Sequence, residues 1–295
     1  MQPTRPDFLL PGLAVSGGIV TFGLRTWLWR TGYSSDTQLF TNGHPAAMLF
    51  ALLAVILAAA FALALRRAGG KASTPSAYHC PSSVCVTISA AAAMLFLPSG
   101  VLGLLEGMEQ LALWRTAPDS VLLTYPVTLI LCALLAFGAA VATLLLGKGS
   151  YREEYPAISS LVVLIPPATG LTWLFSTHLA HGTDPVLMRY GVSLWAVAAL
   201  MLAHYYAAAC FHDRPCPRRA AFFALMGIFL GLASYADGPS PFRMLLTAAF
   251  VLSALSGVCP LLRSLFGPPW PKRLQADRMP QGAQSDDTGA NPAED

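Results

Sequence analysis

Charge is what this sequence has least of. Lys and Arg number 18, Asp and Glu number 15, and together they make only 11% of 295 residues. A soluble domain carries about 25% charged residues and needs them to cover its core. With 55% apolar residues and a mean hydropathy of +0.56, the chain excludes a soluble enzyme domain and a disordered polymer. The net charge of +3 is ordinary, and the basic residues form no stripe interleaved with aromatics, so no nucleic-acid partner is expected.

Catalytic signatures are missing as well. The chain has no GxxxxGK[ST] phosphate loop, no HExxH zinc helix and no GxSxG nucleophile elbow. Nothing marks a cofactor site, and none is expected. These absences lean against an enzyme.

What remains is an all-α integral membrane protein without a soluble domain. The charge-free stretches place about eight spans, at 8–29, 45–66, 84–105, 121–146, 158–179, 187–211, 219–236 and 242–264. Each approaches the roughly 20 residues that cross about 30 Å of hydrocarbon. A transmembrane barrel would alternate apolar and polar residues over about 10 positions, whereas these runs are continuously apolar. The first span, with one basic residue before it and no clean small-residue cleavage site, reads as retained rather than as a signal peptide. Residues 1–266 therefore form the bundle. Residues 267–295 open on Pro268, Pro269 and Pro271 and close on acidic residues, and read as a disordered cytoplasmic tail.

Basic residues choose the orientation. With eight spans, thirteen Lys and Arg lie on the side of the termini: Arg5, Arg66, Arg67, Lys71, Lys148, Arg152, Arg214, Arg218, Arg219, Arg263, Lys272, Arg273 and Arg278. Four lie opposite: Arg30, Arg115, Arg189 and Arg243. The bias puts both termini in the cytoplasm of a plasma membrane, bacterial by the sequence reading.

Ionisable groups collect near the outer ends of the spans. The candidate polar site comprises Arg25, Glu106, Glu109, His178, His181 and Asp184. Arg25 falls inside the first span, where an unpaired charge costs at least a few kcal/mol. Glu106 and Glu109 rise from the outer end of the third span at a matching height, so a pair with Arg25 is expected. His178 and His181 share a helical face and form His-x2-His-x2-Asp with Asp184.

Weaker features complete the reading. His79, Cys80 and Cys85, with Cys259, and also Cys210, His212 and Cys216, have ligand chemistry but lack the tight Cys-x2-Cys spacing of common zinc sites. They read as small apolar side chains rather than as a metal site. Pro166-Pro167 removes two backbone donors in the fifth span, so a kink or unwound stretch is expected there. His204 reads as a hydrogen-bonded packing histidine. The apolar mid-membrane and the lack of catalytic motifs favour a non-enzymatic accessory protein, with the bilayer and other membrane proteins as partners. The alternative is a transporter or binding protein for a small solute or ion, with an outer-leaflet polar site and an unknown ligand. A water-accessible polar cavity would favour the alternative.

Overall fold

The computed structural model describes residues 6–69, 75–118, 122–152, 159–182, 184, 186–212 and 214–267. Arg5, Lys71 and all of the expected tail after Gly267 lie outside the described residues. Helices dominate: α1 (Pro6–Thr31), α2 (Pro45–Arg67), α3 (Ser83–Thr116), α4 (Thr124–Arg152), the short α5 (Ser159–Val162), α6 (Ile165–Ala180), α7 (Leu187–Ala209), α8 (Pro217–Ser234) and α9 (Pro241–Phe266). Seven of them are long and apolar enough to cross a membrane, which makes the chain a multi-pass helical membrane protein. In hydrocarbon a helix satisfies its own backbone, which is why apolar runs of this length take that form.

The expected fifth span, 158–179, is not among these seven and is built differently. At 16 residues, α6 reaches about 24 Å, short of the hydrocarbon, and α5 extends it beyond a turn at Val163–Leu164. The break sits just before the proline pair rather than on it. Pro166 and Pro167 cannot donate to the carbonyls of Val162 and Val163, yet their fixed φ suits the first turn of a helix. The prolines therefore start α6, and the interruption falls upstream. Thr169 then ties α6 to α4, donating to Leu135 O at 3.1 Å.

α3 runs on to Thr116, carrying Glu106 and Glu109 as helix rather than loop. It packs most extensively on α4 and on α9. The approach is close at Gly103, where a Cβ would meet the Phe242 ring at 2.7 Å and Ala133 Cβ at 3.0 Å. α1 packs on α8, α2 and α9, and α7 on α8 and α6. The core centres on α8 and α9, with Phe229, Phe242, Phe250, Leu225, Ile228 and Leu246 fully buried. α2 lies at the periphery, with Leu52, Val55, Ile56 and Leu63 exposed where lipid would contact them.

The bundle has a basic end, where Arg66, Arg67, Lys148, Arg152, Arg218 and Arg219 fall, and a distal end. At the distal end residues 33–40 form a small hairpin, Tyr33–Ser34 against Leu39–Phe40, whose turn places Gln38 at φ 54°. Also at the distal end, α8 closes through a 3₁₀ turn, Tyr235–Asp237, stopped by Gly238 at φ 63°. Left-handed backbone of this kind favours glycine. The turn delivers a carboxylate to the helix end, and the site is built around it.

Candidate functional site

Arg25 is 3% exposed, so its charge has to be met inside the protein. Asp237 meets it. Arg25 Nε donates to Asp237 Oδ1 at 2.7 Å, and Nη2 pairs with the same oxygen. Nη2 also donates to Met188 O at 3.2 Å. Trp29 Nε1 donates to Asp237 Oδ1 at 3.2 Å, and Ser193 Oγ to Oδ2 at 3.1 Å. The Phe50 ring lies 5.8 Å from the guanidinium carbon. Side chains from α1 and α7 and the turn after α8 thus close on one buried ion pair. Its carboxylate is 5% exposed and satisfied on both oxygens.

The expected pairing with Glu106 or Glu109 is therefore corrected. Glu106 accepts from Ser240 Oγ at 2.9 Å, and Glu109 is exposed on α3. The heights match, but α1 packs against α8 rather than α3. Height is legible from sequence distance to the membrane edge; neighbourhood is not.

Beside this pair opens a cavity of about 110 Å³ between α6, α7, the Asp237 turn and α9. Trp173, Thr177, His181, Ser193, Ser240, Arg243 and Thr247 contribute to its walls. Arg243 stands in the first turn of α9, and its Nη2 donates to Tyr125 OH at 3.3 Å. Among the described residues no carboxylate comes within 4 Å of it, and its Nε is buried without a hydrogen-bond partner. Thr177, 2% exposed, likewise leaves its hydroxyl without one. Arg189, also on the wall, is neutralised by Asp184 at 3.2 Å.

The six sequence candidates do not converge on one point. His178 is exposed. His181 stacks on Tyr190 at 4.7 Å between centroids, and its Nδ1 is 2.9 Å from Thr177 O. Burial holds the His181 pKa below its ordinary value of 6.5, against the upward pull of that carbonyl and of Asp184. Asp184 caps Val186 N at 2.9 Å besides pairing with Arg189. Asp237 and Arg243 were missed by sequence reasoning. Asp237 falls one residue beyond the seventh expected span, and Arg243, at the outer edge of the eighth, reads only as one basic residue opposite the termini. A usable signal existed for Asp237: Asp-Gly-Pro at a helix end puts a carboxylate level with Arg25.

A second cavity, about 100 Å³, lies toward the basic end. It is lined by Cys85, Ser89, Thr143, Pro166, His204, Ser253 and Ser256, among others. His204 Nδ1 is 2.8 Å from Leu200 O and Nε2 is 3.0 Å from Ser253 Oγ. In the neutral ring the first nitrogen donates and the second accepts, so His204 is satisfied without charge. An aromatic layer separates the two cavities. Trp173 stacks on Phe250 at 5.3 Å, and Phe96 and His204 meet Phe250 edge-on at 5.1 Å each.

Near the basic end, Cys80 Sγ lies 2.6 Å from Cys85 Sγ, and Cys85's hydrogen bond draws the Cys80 thiol down to about 7. His79 Nδ1 is 2.7 Å from Ser150 O. Among the described residues, no three His, Cys, Asp or Glu side chains gather as a metal site would need. No family model matches the chain, and no curated protein or solved structure does either.

Proposed function

We propose that the protein is a carrier for a small polar solute in the plasma membrane, with the basic end and both termini in the cytoplasm. One observation carries the reading: two cavities stacked along one face of α9, separated by an aromatic layer. Arg243 and Thr247 face the distal cavity, Phe250 lies between, and Ser253 and Gly257 face the other. These positions recur at helical spacing. Carriers bind near the middle of a bundle, often beside an interrupted helix, and α6 supplies both the break and the Trp173 ring of the aromatic layer. A protein acting only by packing with partners has no use for a polar hollow in its interior with a second, more apolar hollow beneath it. This polar hollow is what favours a carrier over the accessory role expected from composition.

Water-accessibility labelling tests this. In a cysteine-free background, Ser193→Cys is expected to react with a small membrane-impermeant thiol reagent from outside, and Ser256→Cys from the cytoplasmic side. Reaction of neither position from either side would return the protein to an accessory role. Reaction with the sides reversed would overturn the orientation.

A further inference from the structure

We infer that the distal cavity selects short-chain carboxylates, one negative charge at a time, and that Arg243 is the group that reads the charge. The inference rests on the solute-binding reading above and names its substrate class. Three guanidinium groups approach this region, and two are spoken for. Arg25 is neutralised by Asp237 and also donates to Met188 O, and Arg189 is paired with Asp184. Among the described residues Arg243 is the one of the three without a carboxylate partner: of the five N–H groups of a guanidinium, one is used, on a neutral phenol.

A planar fork of this kind matches a carboxylate through two parallel hydrogen bonds. The second charge of a phosphate monoester would find no second free cation, and Glu106, hydrogen-bonded to Ser240 on the wall, would repel it. A cationic solute would meet Arg243 directly. The rest of the lining suits a short organic tail. Trp173, Ala196 and Val197 offer apolar surface, while Ser193, Ser240 and Thr247 already give their hydroxyl protons to Asp237, Glu106 and Arg243 O. The buried Thr177 hydroxyl, which has no partner, is the donor left beside Arg243 for the anion. About 110 Å³ holds several waters, enough for a carboxyl group with a few carbons and too little for a lipid or a peptide.

The test uses the full chain in nanodiscs, carrying Ser193→Cys, with sodium propionate, sodium phosphate and methylammonium chloride as probes. Propionate is expected to slow labelling of Ser193→Cys at least tenfold, while phosphate and methylammonium leave the rate unchanged. Adding Arg243→Gln should abolish the protection but not the labelling, and Arg243→Lys, which keeps charge and loses the fork, should retain part of it. If Ser193→Cys labels but propionate gives no protection, or methylammonium protects equally, the carboxylate assignment fails while the cavity stands. Protection that survives Arg243→Gln removes Arg243 from the site. If Arg243→Gln does not fold, the comparison of probes on the unsubstituted arginine still decides the charge class. No labelling at all overturns the carrier reading itself.

Discussion

Two arginines share the distal end of the bundle and live in opposite circumstances. Arg25 gives its donors to a carboxylate and a carbonyl and is 3% exposed. Arg243 gives one hydrogen bond to Tyr125 and faces a cavity. The difference teaches what each charge can do. A neutralised buried pair fixes geometry: it pins α1 to α7 and to the end of α8, and presents no net charge to a ligand. An arginine with open donors contributes little to the fold and keeps its field for something that enters. The same residue type thus serves as a post in one place and as a receptor in the other.

The comparison breaks first at the post. Removing one partner of a buried ion pair strands the other and costs about 3–5 kcal/mol. Arg25→Leu and Asp237→Leu are each expected to lose that much in reversible unfolding from detergent micelles. The double variant should recover most of it, because two apolar side chains leave no stranded charge. If Glu106→Gln rather than Asp237→Leu rescues Arg25→Leu, the pair is misassigned. Arg243→Gln should cost less than about 1 kcal/mol, since it strands no buried carboxylate.

The aromatic layer comes next. Phe250 is fully buried and touches Trp173, Phe96 and His204. Phe250→Ala should cost about 3–5 kcal/mol as a cavity-forming core change. It should also join the two hollows, so that Ser193→Cys becomes reactive from the cytoplasmic side. Unchanged sidedness in a folded Phe250→Ala protein would show that the barrier lies elsewhere.

Most of the architecture was legible because the bilayer forbids what a soluble fold allows. A run without charge from Pro45 to Leu65 has few alternatives to a helix. Helix ends were less legible. Glu106 and Glu109 mark where α3 leaves apolar composition, but glutamate is a good helix former, and α3 continues to Thr116. The break at Val163–Leu164 could be foreseen from Pro166-Pro167, its side of the prolines only by asking which carbonyls lose their donors. The site was half legible. Arg25 announced itself as a charge in a span, and it does turn inward. Its partner depended on which helices touch, and the packing of α1 on α8 leaves no mark in a single sequence. Arg243 gave no signal, because an arginine at the edge of a span that snorkels and one that faces a cavity read alike.

The smallest expected effect concerns His181, which lies between the two regimes. Burial presses its pKa below 6.5, Arg243 and Arg189 press in the same direction, and Thr177 O and Asp184 oppose them. Tyr190, stacked on the ring, completes its surroundings. The folded protein therefore holds the neutral imidazole at pH values where the unfolded chain has begun to take a proton. Stability from this source is fully present above pH 6.5 and declines as pH falls through and below that value, because the unfolded state gains protons first. Between pH 7.5 and 5.5 the wild type should lose more melting temperature than His181→Gln, which cannot titrate. Parallel curves for the two proteins would show that His181 is not held neutral. Propionate sharpens the test: a carboxylate on Arg243 offsets the positive field and favours the imidazolium, so the wild-type loss should shrink in its presence. Sodium chloride at equal ionic strength should leave it as it was.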